Sequence, residues 1–311
     1  MKKIIAMLLL LTLLVVCTAC GEKKTEVPTQ PTEEIPQETT PTWMTLPADR
    51  TLTAQQYFVY DCEEGTFLTI SAGEKDKIYP ASVTKLFTAY IAGQYLREDQ
   101  RITVGEALDL VYPGSSVAEL EKGDQVTVSL LIEAMMLPSG NDAAYVLAAE
   151  AGRAMAGSSV STQEAVDTFV NEMNRQAQIL GMTNTHFANP DGIHQDSHYS
   201  SFHDLALMGT LVQSDPTIMA CVAKAKDQVP LNSGTKEWKN TNALIHPDSQ
   251  YYCPYAVGLK TGQTPSAGSC LLSAFEYEGR TMVIGVFGCP DVEDRFADTL
   301  QLFNETIGYT G

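Results

Sequence analysis

Two short β-prone runs near the start of the apolar-rich body and three more at its end, with helical patterns between, limit the architectures open to this chain. "YFVYDCEEGTFLTI" holds the runs Tyr57–Tyr60 and Thr66–Ile70 around a Glu-Glu-Gly turn, a hairpin pattern. "YAVGLKTG", "SCLLSAFEYEG" and "RTMVIGVFGC" read as three successive strands with glycine turns between them. Between these ends, "ASVTKLFTAYIAGQYL", "VTVSLLIEAMML", "NDAAYVLAAEAG" and "STQEAVDTFVNEMNRQAQILGM" space their apolar residues as helices do, the last stopping at Gly181. A final helix is expected over roughly Asp291 to Ile307. Strands at both ends and helices in the middle predict an α+β body, a cluster of helices packed on an antiparallel sheet.

The first twenty residues, "MKKIIAMLLLLTLLVVCTAC", put two lysines before an apolar run, Ile4 to Val16, that is short for a membrane span and suits a signal-peptide core. The run ends in small residues and Cys20-Gly21, a pattern that resembles a bacterial lipobox, with Cys17 where Leu is usual. Two outcomes fit, lipidation of Cys20 or a plain secretory signal cut nearby, and both export the protein. Residues 20–47 are rich in Pro, Thr and Glu and cannot bury enough apolar surface to offset ordering, so they are expected to form an extended tether. The organisation is therefore a signal at 1–19, a tether at 20–47 and a body at 48–311.

The 311-residue chain carries a net charge of −18 and 44% hydrophobic residues. That charge excludes a nucleic-acid partner, which needs clustered Lys and Arg, and is read as a solubility feature. Of seven cysteines, Cys17 leaves with the signal and Cys20 is the lipid candidate; Cys62, Cys221, Cys253, Cys270 and Cys289 form no C-x-x-C pair, so neither a disulfide framework nor a zinc knuckle is indicated.

Three short motifs carry chemistry. Ser82 and Lys85 in "PASVTKL" share a helix face, where a partly desolvated lysine can take the serine proton. A second Ser-x-x-Lys, Ser233–Lys236, sits among Pro230, Asn232 and Gly234 with no helix to align it. "LPSGNDAA" reads alone as a helix start, Ser139 capping and Asp142 completing a capping box, yet Ser139 could relay a proton and Asn141 hold a substrate backbone. In "LKTGQT", Lys260 and Thr261 can meet a carboxylate, and Gly262 would let a substrate backbone lie close to the strand edge.

Taken in order, Ser-x-x-Lys on a helix, Ser-Gly-Asn on a loop and Lys-Thr-Gly on a strand resemble the signature of penicillin-recognising serine enzymes. The longer stretches "LGMTNTHFANPDGIHQDSHYSSFHDLALMG", "NTNALI" and "GLKTGQTPSAGSCLLSA" narrow the resemblance, from about Gln55 to Gly288, to the low-molecular-weight penicillin-binding proteins that act as serine-type D-alanyl-D-alanine carboxypeptidases. The resemblance implies a β-lactamase/transpeptidase-like catalytic domain. In it Ser82 is the acylated nucleophile, Lys85 its base, and Ser139 and Asn141 the groups for proton transfer and alignment. Lys260 and Thr261 would hold the terminal carboxylate, with Gly262 and Gln263 beside the substrate and the N–H groups of Ser82 and Gln263 as the oxyanion hole. It further implies a peptidoglycan stem peptide ending in D-Ala-D-Ala as substrate, β-lactams as acylating inhibitors, no cofactor and no metal. "NTNALI" lacks the Arg that some relatives carry there, and the approximately fifty residues after Lys260 leave no room for the extra β-rich domain and anchor helix of many relatives, which favours the Cys20 lipid as anchor on the outer face of the cytoplasmic membrane.

Four other readings compete. A class A β-lactamase shares the motifs but needs a Glu-x-x-Leu-Asn-like run between the second and third, which is missing here. D,D-endopeptidase action on cross-links would use the same groups. A zinc carboxypeptidase would draw on His194, His198 and His203, which lie in a loop without a carboxylate pair. A non-enzymatic wall-binding relative is the last, and the intact motifs oppose it.

Overall fold

The computed structural model describes residues 51–308. The signal, Cys20 and the whole of the tether lie outside the described residues.

The hairpin forms as its alternation predicts, with β1 (Gln56–Asp61) antiparallel to β2 (Thr66–Ile70). A helix α1 (Thr84–Tyr95) follows, then a small two-stranded ribbon of β3 (Arg101–Thr103) and β4 (Gln125–Thr127). The helices α2 (Val128–Met136), α3 (Asn141–Ala156) and α4 (Thr162–Ile179) come next, then α5 (Phe202–Val212) and α6 (Pro216–Val222). A second ribbon, β5 (Lys226–Leu231) with β6 (Gly234–Lys239), precedes the three-strand run β7 (Ala256–Thr264), β8 (Gly268–Tyr277) and β9 (Arg280–Cys289), and α7 (Asp294–Thr306) closes the body. The second Ser-x-x-Lys falls on the β5–β6 hairpin, where Ser233 donates to Asp124 and Lys236 pairs with Glu119 and Glu121.

The main sheet runs β2-β1-β9-β8-β7, every pair antiparallel, so the two ends of the body meet at the β1–β9 ladder. Close packing sets that ladder: Phe58 faces Gly285, where a Cβ would stand 2.4 Å from the Phe58 ring. Alternation along the strands sends Leu272, Ala274, Val283 and Phe287 toward the helical cluster and Leu271, Phe275, Ile284 and Val286 toward α7. Phe275 stacks on Phe303 of α7 at 4.4 Å between ring centroids. Each such buried side chain contributes roughly 1.5–3 kcal/mol. Asp298 of α7 ties in the incoming chain by accepting from the N–H groups of Thr53 and Ala54.

In the helical cluster the alanine-rich α3 is central, with Ala143, Ala144, Ala148, Ala149 and Ala151 all buried. It touches α4 so closely that a Cβ on Gly152 would lie 1.9 Å from the Ala165 carbonyl oxygen. α4 begins at a full capping box, Ser161 with Glu164, and stops before Gly181 at φ 86°.

Candidate active site

Pro80 leads into a single 3-10 turn, Ala81–Val83, that runs on into α1. Ala81 at φ 48° is bent into the left-handed region, which a side-chain-bearing residue adopts only under strain. The continuous helical path beyond it aligns Ser82 with Lys85. The Lys85 Nζ donates to the Ser82 Oγ and to the Asp191 carbonyl oxygen, both at 2.8 Å. Lys85 is fully buried, and its hydrogen bonds reach a hydroxyl and a carbonyl rather than a carboxylate. Burial therefore outweighs the charges of Asp191 and Asp142 and brings its pKa down to about 8.

The loop carrying Asp191 is built to reach this point. Asn189 accepts from the Gly192 N–H and donates to the Ile193 carbonyl. Gly192, at φ 85°, passes so near Ala81 that a Cβ would fall 1.9 Å from the Ala81 oxygen.

Ser139 sits at φ 63° between α2 and α3, and it does not cap the helix. The N-cap is Gly140, without a side-chain cap bond. Asp142 does not complete a capping box either; its carboxylate accepts from the N–H groups of Ala118, Leu120 and Ala143 and pins the preceding loop against α3. The reason is local backbone: a residue in the left-handed region cannot present its hydroxyl to the first turn as an extended N-cap does. Released from capping, Ser139 and Asn141 are presented at a bend. Asn141 begins α3, and its buried Oδ1 has no hydrogen-bond partner.

β7 forms the opposite wall as an edge strand. Lys260 is buried, its Nζ 3.1 Å from the Thr261 carbonyl oxygen and 3.5 Å from the Thr261 Oγ1. Burial holds its pKa well below the usual lysine value, with Lys85 and Arg295 adding to the effect. The Thr261 hydroxyl lies 2.5 Å from that of Thr241. Gly262 also serves a contact within the chain. Its missing side chain makes room for the serine segment, since a Cβ there would stand 2.8 Å from the Pro80 oxygen and 3.2 Å from the Ser82 nitrogen. Gln263 is exposed beyond it. Ser82, Asn141, Ser116, Tyr112, Ile193 and Gln263 line one groove of about 520 Å³.

Two groups at this site carry no motif. Arg295 of α7 is buried beneath β7 and donates to the Gly262 carbonyl oxygen at 3.3 Å, while its Nε has no partner. Burial lowers its pKa to about 10, which leaves it charged at neutral pH. Asp191 supplies the carbonyl that positions Lys85. The signals for both were present: Asp191-Gly192 is a turn dipeptide, and Arg295 is a lone base in "DVEDRFAD".

The three loop histidines diverge. His198 is buried, with Nε2 2.8 Å from the Thr84 Oγ1 and Nδ1 accepting from the Ala188 N–H. His203 faces Asp204, and His194 lies edge-on to Tyr79. Among the described residues no group of three or more His, Cys, Asp or Glu is placed to hold a metal. Cys62, Cys221, Cys253, Cys270 and Cys289 are all free thiols.

A family model described as D-alanyl-D-alanine carboxypeptidase matches residues 42–290. A D-alanyl-D-alanine carboxypeptidase of Streptomyces is 32% identical over 256 residues, which is 79% of this chain and 84% of the relative. One from Bacillus subtilis is 30% identical, covering 74% of this chain but only 56% of the relative's length. Among solved structures, the Streptomyces DD-transpeptidase superposes with a TM-score of 0.74 at 30% identity, covering 83% of this chain and 98% of that one.

Proposed function

From its place in the D-alanyl-D-alanine carboxypeptidase family, to which the chain belongs, we propose that it removes the terminal D-alanine of peptidoglycan stem peptides through an acyl-enzyme on Ser82. The observation that carries this reading is the Ser82–Lys85 pair, a hydroxyl 2.8 Å from a buried amine with a lowered pKa. Neutral Lys85 takes the serine proton as the Oγ attacks the carbonyl of the penultimate D-alanine. The N–H groups of Ser82 and Gln263 receive the developing oxyanion. Ser139 passes a proton to the departing nitrogen, and the unpartnered Oδ1 of Asn141 accepts from a substrate N–H. Lys260, Thr261 and Arg295 hold the terminal carboxylate; two buried basic side chains with no bonded carboxylate of their own support that role. Arg295 thereby supplies, from α7, the guanidinium that "NTNALI" lacks. Water then hydrolyses the ester.

β-Lactams acylate the same serine in this reading. The test is labelling with a fluorescent penicillin together with D-alanine release from a pentapeptide. Wild type does both and Ser82→Ala neither; an unlabelled wild type overturns the assignment. Rapid turnover of a chromogenic cephalosporin overturns it in favour of a β-lactamase.

We also propose that the protein is exported and anchored by a lipid on Cys20 to the outer face of the bacterial cytoplasmic membrane, the motif at Cys20-Gly21 supporting this. Cys20→Ala then shifts the protein from the membrane fraction, and retention of that variant there overturns the anchor.

A further inference from the structure

A second cavity, of about 470 Å³, lies where α4 meets the 188–195 loop, and the steps assigned to Ser82 make no use of it. One wall is a stripe on α4: Gln163, Asp167 and Asn171 follow one another a helical turn apart, all exposed. The loop and Tyr145 of α3 supply the rest. Three segments serve both this cavity and the groove of Ser82. α3 gives Asn141 to the groove and Tyr145, one turn on, to the cavity. The loop gives Ile193 to the groove and Pro190 and Gln195 to the cavity, and Tyr112 and Leu110 divide in the same way. Four residues of helix span about 6 Å, so the two spaces are neighbours. The loop they share is fixed: the Asn189 side chain bonds the backbone at Gly192 and Ile193, and the Pro190 carbonyl oxygen accepts from the Thr88 Oγ1 at 2.6 Å. The cavity is therefore formed before a ligand arrives.

Its lining is amide-rich and nearly neutral. Asp167 is the one charged side chain, and it already accepts from the Gln163 Nε2 at 2.8 Å. No Lys, Arg or His stands among the described residues that line it. The side-chain amides of Asn171 and Gln195 and the hydroxyl of Tyr145 have no hydrogen-bond partner among the described residues. Burial, helped by the Asp191 charge, raises the Tyr145 pKa, so the phenol stays protonated. Each free amide offers donors and an acceptor together, which suits neighbouring hydroxyls and acetamido groups. Val166, Val170 and the Tyr145 ring offer apolar surface for the C–H face of a sugar ring. A peptide carboxylate finds no base here and meets Asp167.

We propose that this cavity is a glycan subsite, binding an N-acetylhexosamine of the peptidoglycan chain that carries the scissile stem peptide. The inference rests on the reading of the Ser82 site above and deepens it, making the preferred substrate a peptide still attached to its sugar. A stem peptide joins muramic acid through its first residue, three residues before the D-alanine whose carbonyl Ser82 attacks. Extended, that is about 10 Å, which reaches a neighbouring cavity. Sugar bound there lies away from the reacting carbonyl in ground state and transition state alike, so it lowers KM and leaves kcat unchanged.

The experiment follows D-alanine release by the full chain from a free pentapeptide and from the same pentapeptide carried on an N-acetylglucosaminyl-N-acetylmuramic acid disaccharide. Wild type shows a KM about tenfold lower for the disaccharide-borne peptide, with kcat within about twofold. Asn171→Leu combined with Gln195→Leu, both at exposed positions, raises that KM to the free-peptide value. Free-peptide turnover and penicillin labelling of the double variant stay within about twofold of wild type. Asn171→Leu alone removes part of the advantage and carries the same comparison if the pair does not fold. Equal KM values in wild type overturn the proposal, as does a labelled double variant that keeps the advantage. So does an Asp167→Asn variant that loses free-peptide turnover, because the cavity then holds an amine of the stem peptide. A wild type inert to both substrates and to fluorescent penicillin removes the reading of Ser82 itself, and this proposal with it.

Discussion

The Nζ of Lys85 lies 2.8 Å from the Oγ of Ser82, and its second hydrogen bond goes to a backbone carbonyl, that of Asp191. A carboxylate in that position would hold the amine protonated; a carbonyl oxygen leaves burial to decide, and the pKa falls to about 8. Only the neutral amine accepts a proton. The kcat/KM for acylation therefore rises from pH 6 and levels off above about pH 8. Lys85→Arg, which cannot deprotonate, loses on the order of 10³-fold or more. A pH profile flat from 6 to 9 would remove Lys85 from the role of base.

The same burial has a cost in stability, and its sign follows from linkage. Lys85 titrates at a lower pH in the folded chain than in the unfolded one, so the unfolded state binds more protons between about pH 8 and the ordinary lysine value of 10.5. Stability gains from this group as pH rises through that window, and the full penalty, about 3 kcal/mol, is present below it. Lys85→Met removes the penalty along with the activity. The variant melts higher than wild type at pH 7, and the gap closes as pH approaches 10.5. A variant that melts lower at pH 7 would show that the bond to the Asp191 carbonyl outweighs the buried charge.

Two glycines with positive φ separate contact from conformation. A Cβ on Gly192 falls 1.9 Å from the Ala81 oxygen, whereas Gly234 at φ 130° has nothing within 4 Å. Gly234→Ala is expected to cost only backbone strain, about 1–2 kcal/mol, with acylation unaffected. Gly192→Ala must displace the turn that carries Ser82, so it is expected to cost more than about 3 kcal/mol and most of the penicillin labelling. Denaturant midpoints and labelling rates for the pair check this; equal effects would mean that the Ala81 contact yields easily.

These contrasts mark what could be read before the fold was known. The hairpin, the helices either side of Pro138–Gly140 and the final three strands were legible because each depends on spacing within a few residues. So was the Ser82–Lys85 pairing, one helical turn apart. The partners were not. Lys85 meets a carbonyl 106 residues away, and Gly262 makes room for Pro80. Ser139 followed by Gly-Asn-Asp has the composition of a helix cap, and only its φ of 63° shows that it is not one. Arg295 reaches β7 from a helix whose acidic neighbours give no sign of it. Local pattern finds groups that act within one element, and groups that meet across elements wait on packing.

Asp142 offers a test of how the middle wall is held. Its Oδ1 accepts from the Ala118 and Ala143 N–H groups at 2.9 Å and its Oδ2 from the Leu120 N–H at 3.0 Å. Asp142→Asn keeps one acceptor but must turn an NH₂ toward at least one of these donors. It is expected to cost about 1–3 kcal/mol, and Asp142→Ala, which orphans all three, more. Both variants should lower D-alanine release through loss of the Ser139–Asn141 bend, and because the Asp142 charge holds the Lys85 pKa up, the Lys85 titration should move to lower pH. Unchanged kcat/KM in a destabilised Asp142→Asn would mean that the bend holds its shape without the carboxylate.

Arg295 and the Gly262 carbonyl make the last prediction, which separates anion binding from structural support. If the guanidinium holds the substrate's terminal carboxylate, its value depends on that carboxylate's charge. For wild type, amidating the C-terminus of a pentapeptide should lower kcat/KM about 100-fold. Arg295→Leu should lower kcat/KM for the free acid by about 10–100-fold, yet amidation should then cost far less, since the two changes remove one interaction. Stability should hardly fall, because the variant replaces a buried cation whose Nε is unpartnered with an apolar side chain. If amidation cost the variant as much as it costs wild type, the carboxylate would be held by Lys260 and Thr261 alone, and Arg295 would act only by bracing the Gly262 carbonyl from beneath the strand.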